Sequence, residues 1–162
     1  MISEPLITSH QLLIEEKHLQ LPSLTLVELF EIGNIATQIG LSRSVPIAVE
    51  LRLGDWVIYH ASLPGSTPEN QGWIDRKARV VMLKKHSTLY ERVSAEERGV
   101  DWHKENNLLD ETHAIHGGGL PLITKYDGFV GVLLISGLPQ VEDHLLGVKV
   151  LTEFLSRKGE LL

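Results

Sequence analysis

A chain of 162 residues, 43% hydrophobic and 22% charged, has the size and make-up of one globular domain, and none of its apolar runs approaches the ~20 residues of a membrane span. Its net charge of −6 argues against broad electrostatic binding to nucleic acid, which needs basic surface to displace counterions. With no cysteine, disulfides, thiol nucleophiles and thiolate metal clusters are excluded, and metal ligation is left to His, Asp and Glu.

The opening Met-Ile-Ser-Glu-Pro-Leu lacks the basic start and continuous apolar stretch of a secretory signal, so a cytoplasmic location is expected. Residues 1–22 read as an N-terminal arm or short helix ahead of a domain at 23–162. Within the arm, 7–21 suggests a helix running into an extended Leu19-Gln20-Leu21, closed by Pro22, whose ring disfavours helical backbone before it. Thr25 and Glu28 form a capping box, and Leu29, Ile32, Ala36 and Ile39 then recur at helical spacing up to Gly40.

Residues 45–53 and 56–63 are β-branched and aromatic around Gly54-Asp55, which predicts an antiparallel hairpin. Pro64, Gly65 and Pro68 end it. A helix follows from near Thr67 to about His86, with Pro68 in the first turn, where its missing N–H costs nothing, and a core stripe of Ile74, Ala78, Val81 and Met82. Residues 87–111 are polar, with helical turns over 89–98, and are expected to form a lid or a connection. A second hairpin is predicted at 120–126 and 129–136 through Asp127-Gly128, and Leu138-Pro139 opens a last helix to about Arg157. Two hairpins with helices before, between and after them predict a single α+β domain, a central antiparallel β-sheet flanked by helices. No solenoid repeat is present.

The last helix has one apolar row of Val141, Leu145, Val148, Leu151 and Leu155, with His144 inside it, and a second row of Leu146, Val150 and Phe154 opposite. A helix apolar nearly all round should be buried on both sides, here with one side against another copy of the chain.

Candidate chemistry centres on Thr-His-Ala-Ile-His-Gly-Gly-Gly. His113 and His116 share a face if their segment is a helical turn and lie on opposite faces if it is extended; together with His144 they are candidate ligands for a metal or haem iron, against the commoner reading of solvated loop histidines. Gly117, Gly118 and Gly119 stop a helix and can turn backbone N–H groups into an anion-binding nest, although the Lys-Ser or Lys-Thr of a P-loop is missing. Asp143 suits the positive end of the last helix. A general acid/base pairing of Asp143 with His144 is the sharper reading, weakened because adjacent helical residues point about 100° apart. On the middle helix, Trp73, Lys77, Val80 and Lys84 fall on one side, flanked by Arg76 and Arg79. Such a stripe either holds an anionic or planar ligand or is a solvated face with lysine stems over apolar surface. Gly-x-Ser-x-Gly, His-Glu-x-x-His and the dinucleotide glycine fingerprint are all missing.

Three motifs, His-Gly-Gly-x-x-Pro-Leu from His116, Asp-Gly-x-Val-Gly from Asp127 and Ile-Ser-Gly-Leu-Pro-Gln-x-x-Asp-His from Ile135, resemble the haem-degrading-domain superfamily of GlcG/HbpS-like proteins. Trp-Ile-x-Arg-Lys from Trp73 and His86-Ser87 resemble its small cytosolic branch. The resemblance implies a profilin- or roadblock-like layered domain, assembly into symmetric homo-oligomers, and a site drawn from His116, Gly117, Gly118, Ser136, Gly137, Asp143 and His144 with Trp73, Arg76 and Lys77. The expected function is a cytosolic homo-oligomeric protein that binds a small organic anion, haem being the other ligand the resemblance implies. Its partners are then itself and a small molecule, with no nucleic acid and no membrane. The alternatives are an enzyme on a small oxygenated metabolite with His116 or His144 as general base, and a non-catalytic interaction scaffold.

Overall fold

The computed structural model describes residues 6–159. The elements in chain order are α1 (Ser9–His18), α2 (Leu26–Arg43), β1 (Ala48–Leu53), β2 (Trp56–Ser62), α3 (Glu69–Lys84), α4 (Thr88–Arg98), α5 (Trp102–Asn106), β3 (Gly119–Thr124), β4 (Gly128–Ser136) and α6 (Gln140–Arg157). The strands form one antiparallel sheet in the order β2-β1-β4-β3. The expected α+β layout is therefore observed. Both hairpins sit where the Gly-containing turns placed them, and the two are joined by the pairing of β1 with β4, from Ala48 opposite Ser136 to Leu53 opposite Gly131.

Strand alternation sorts side chains to two faces. Val49 and Leu51, with their partners Ile135 and Leu133, pack under α2 and α6 together with Leu29, Ile32, Val150 and Phe154. Ala48, Val132 and Leu134 point the other way, onto Ile74, Ala78 and Val81 of α3. The result is three layers, with α2 and α6 on one side of the sheet and α3 on the other. Gly147 of α6 faces β3 so closely that a Cβ there would lie 2.4 Å from the Leu120 side chain.

The capping box at Thr25 and Glu28 starts α2 as predicted, but the helix runs past Gly40 and stops at Ser44, in the left-handed region with φ 54°. Gly40 is buried inside it against Leu63 and Ile47, so this glycine serves packing rather than termination. On α3 the predicted stripe is corrected: Met82 is half-buried, whereas Lys77 and Val80 are buried. Val80 belongs to a small third core with Ala95 and Trp102. The polar segment 87–111 is accordingly no lid, because its two helices pack through that core. On α6 the buried residues are Asp143, His144, Leu146, Gly147, Val150, Leu151, Phe154 and Leu155, while Leu145 is exposed. The row of Val141, Leu145, Val148, Leu151 and Leu155 is thus divided between this domain's own core and its surface. Other exposed apolar residues include Val27 and Phe30 of α2 and Trp56 and Val57 of β2, with Phe30 packed edge to face on Tyr59 of β2.

The arm is attached to the domain. Leu21 is fully buried in the main core, donates its N–H to Ile123 and accepts from Lys125, so it extends the sheet at the outer edge of β3. No helix among the described residues is long and apolar enough to cross a membrane.

Candidate ligand-binding site

Asn70, Trp73 and Lys77 fall three and four residues apart, so successive turns of α3 carry them on one face. Opposite that face β4 ends at Ser136 and the chain turns through Gly137 and Leu138 into α6. A hollow of about 270 Å³ lies between, lined by these residues with His116, Gln140 and Asp143.

Its floor is an ion pair. Lys77, with only 3% of its side chain exposed, donates from Nζ to the Ile135 carbonyl (2.9 Å) and to Asp143 Oδ2 (3.2 Å). The Asp143 carboxylate also accepts from the backbone N–H of Leu138 (2.9 Å) and Gly137 (3.3 Å), so it braces the turn that feeds α6 as well as facing the helix's positive end. Burial is the largest influence on both partners. It pushes the Asp143 carboxyl up to about 6 in spite of Lys77 and the two N–H donors, and it lowers the Lys77 amine, with Arg76 adding repulsion, against the pull of Asp143.

On one side, Asn70 accepts from Thr67 N through Oδ1 (2.8 Å) and donates from Nδ2 to Ser136 Oγ (3.1 Å). On the other, His116 meets Trp73 edge to face with ring centroids 4.7 Å apart. Burial, followed by the positive charge of Lys77, holds His116 below its ordinary value, so it is a neutral imidazole at pH 7. Neither of its ring nitrogens is hydrogen-bonded to the described residues. Arg76 lies 4.3 Å from the Trp73 ring centroid and is tied to Asp110, donating to its carbonyl (2.8 Å) and pairing with its carboxylate (3.0 Å). It positions Trp73 and is not part of the wall.

The glycine triplet is corrected. Gly117, Gly118 and Gly119 are buried and do not line the hollow. A Cβ at Gly117 would lie 2.2 Å from the Gln140 carbonyl oxygen; at Gly118, where φ is 124°, it would lie 2.3 Å from the Ile135 oxygen and 2.8 Å from Lys77 Nζ. The Gly119 N–H is already donated to Thr88 Oγ1 at 3.1 Å. The triplet lets the chain pass between β4 and α6 and makes room for the Lys77 amine, in place of an anion nest.

The three histidines do not converge. His113 is hydrogen-bonded to Thr112 Oγ1 (2.8 Å) and lines a separate groove with Arg52, Asp75 and Arg79. His144 is buried away from the hollow, its Nε2 bonded to Glu15 Oε1 of α1 at 2.6 Å. An Asp143–His144 acid/base pair and a three-histidine metal site are therefore both corrected, and among the described residues no group of three His, Asp or Glu is placed to hold a metal ion. Reasoning from sequence missed Asn70, Leu138 and Gln140. The helical spacing of Asn70 with Trp73 and Lys77 was the available signal for the first.

A haem does not fit this hollow in the single chain. The free imidazole of His116 is of the type that ligates haem iron, but a space of about 270 Å³ falls below the roughly 300–1,000 Å³ of pockets that enclose drug-sized ligands, and a porphyrin is larger still. Arg76, the cation beside Trp73, is already paired with Asp110.

Comparison with known proteins agrees with this architecture. The profile of the haem degrading protein HbpS-like family matches residues 24–152. A UPF0303 protein of Streptomyces avermitilis is 38% identical over 150 residues, covering 93% of this chain and 92% of that protein. Among solved structures, the Ybr137w protein superposes with a TM-score of 0.84 at 25% identity, covering 91% of this chain and 88% of that one. A PduOC:heme complex does so with a TM-score of 0.67 at 19% identity over 80% and 94%, a likeness of fold alone. The chain belongs to the HbpS-like haem degrading family, alongside its UPF0303 members.

Proposed function

We propose that this protein binds a small, oxygen-rich organic molecule, a carboxylate or carbonyl compound, in the hollow between α3, the end of β4 and the start of α6, and that it does so in the cytoplasm as a homo-oligomer. One observation carries the reading: hydrogen-bond donors from separate elements converge there with valence to spare. Lys77 has three N–H bonds and spends two on Ile135 and Asp143. Ser136 accepts from Asn70, which leaves its own O–H to donate. Neutral His116 has one ring N–H to give, and Trp73 supplies a flat apolar wall. A ligand rich in acceptors satisfies these groups, and a hydrocarbon of equal size does not.

The test is thermal unfolding with millimolar lactate, pyruvate and malate, and with stoichiometric haem. A ligand at 100 times its Kd stabilises by about 2.7 kcal/mol. The expected outcome is a raised Tm with at least one of the acids, abolished by S136A and by H116A with each variant's unliganded Tm as its reference. No shift with any acid overturns the reading, and a shift with haem alone replaces it with binding of the macrocycle across the mouth of the hollow.

Catalysis on the same molecule is a second reading, supported by the neutral imidazole of His116 facing the hollow without a hydrogen-bond partner among the described residues. That is the state a general base requires at pH 7. His144 has no part in it. Self-association is supported by β2, a sheet edge without Lys, Arg, Asp or Glu, flanked by exposed Val27, Phe30, Trp56 and Val57. An uncharged edge strand with apolar neighbours is a surface on which two copies can pair about a two-fold axis.

A further inference from the structure

We propose that the ε-amine of Lys77 is a nucleophile that forms a Schiff base with a small aldehyde or 2-oxo acid held in the hollow, with Asp143 carrying the protons. This rests on the reading of the hollow as a small-molecule site and names the substrate class it takes.

A lysine becomes nucleophilic when it is withdrawn from water into a cavity beside a group that can accept its proton. Lys77 meets each requirement. Its stem passes through a face of α3 whose neighbours Ile74, Ala78 and Val81 are buried in apolar packing, and its head emerges at the wall of the hollow. Asp143 Oδ2 lies 3.2 Å from Nζ. The Gly118 Cα leaves the amine its place, since a Cβ there would come within 2.8 Å of Nζ. Burial disfavours the charged form of both groups, so passing the proton from ammonium to carboxylate costs less here than in water. A buried ion pair alone is weak evidence for stabilisation, because an apolar pair of similar volume commonly does as well. This one opens onto a cavity.

The step balances without a further reactant. Lys77 ammonium gives a proton to the Asp143 carboxylate, and the freed lone pair attacks the carbonyl carbon as the C=O π electrons move to oxygen. A second nitrogen proton passes to that oxygen, giving the neutral carbinolamine. The Asp143 carboxylic acid then protonates the hydroxyl, the C–O bond breaks, water leaves and the nitrogen lone pair closes the C=N bond. The product is a protonated imine on Lys77 beside a regenerated carboxylate, so one ammonium and one carbonyl become one iminium and one water. The Ser136 hydroxyl is placed to hold the carbonyl oxygen, and the Trp73 wall limits the substituent.

The experiment treats the intact protein with pyruvate, and separately with propanal, in the presence of sodium borohydride, and locates the reduced adduct by peptide mass mapping. Lactate, which has no carbonyl, serves as competitor and as the ligand in a parallel thermal-shift measurement. The expected result is an adduct at Lys77 at least tenfold above any other lysine and suppressed by lactate. The K77R variant, which keeps the charge without the amine, loses the adduct. The mapping on the unaltered chain stands even where that variant fails to fold. A lactate thermal shift with no Lys77 adduct from either carbonyl overturns the amine chemistry and leaves the hollow as a binding site. Adducts spread evenly over surface lysines and indifferent to lactate overturn it as well, and the lack of any adduct, together with no thermal shift from lactate, pyruvate or malate, overturns both readings.

Discussion

Lys77 shares with Trp73 and Lys84 a helical face that reads as solvated, yet its side chain is buried, because Asp143, 66 residues away, meets it with a carboxylate. Helical spacing reports which residues share a face and is silent on what covers that face. Removing one partner of such a pair strands a buried charge, so K77M and D143L alone should each cost about 3–5 kcal/mol, and the double variant less than either; urea unfolding of the three checks this. The pH dependence has a definite sign. Asp143 is pushed up from 3.8 to about 6, so between those values the folded chain holds a proton that the unfolded chain has released. This favours folding most below the lower value and is lost as pH rises through about 6. D143N lacks the contribution, and the stability of the wild type relative to D143N should therefore fall from pH 4 to pH 7.

Among the helices, α1 is attached in an unusual way. It buries only Leu12 fully among its residues, and polar bonds supply most of its fastening. Ser9 donates to Glu97 through its N–H (2.9 Å) and hydroxyl (2.5 Å), at the far end of α4. Glu16 accepts from Ser87 N (2.9 Å), the capping residue of α4, and bonds His86 (2.8 Å), while Glu15 bonds His144 of α6. A helix with little apolar burial opens at low free-energy cost. Amide hydrogen exchange should therefore release residues 9–18 ahead of α2 and α6. E16A should speed exchange in α1 and in the first turn of α4 together, at a cost of about 1–3 kcal/mol for the unsatisfied Ser87 N–H. Equal protection of α1 and α6 would count against this ranking.

At the scale of the molecule, both sheet faces are covered and the end of the β3 edge is bridged by Leu21, whereas β2 is an open edge beside exposed Phe30 and Trp56. An uncovered apolar edge strand is a template for association. Sedimentation at micromolar concentration should show a multimer, reduced toward the monomer in an F30K/W56K variant whose circular dichroism is unchanged. A monomeric wild type under those conditions would remove the homo-oligomer from the proposal.

What was legible in the chain was local. The Thr25 capping box, the two hairpin turns and the strand alternation each depend on residues within a few positions of one another; the capping box and the Gly54-Asp55 turn appear where expected, and the second turn falls slightly earlier, at 125–127, with Gly128 opening β4 opposite Thr124. Those signals determined the α+β layout. The site was decided by contacts across the fold: Lys77 with Asp143, Asn70 with Ser136, and Trp73 with His116. The same tertiary arrangement sent His144 to α1 and turned the glycine triplet from a nest into a spacer. Hydrogen-bond valence and burial are properties of what lies opposite a residue, and only the folded chain brings that opposite surface into place.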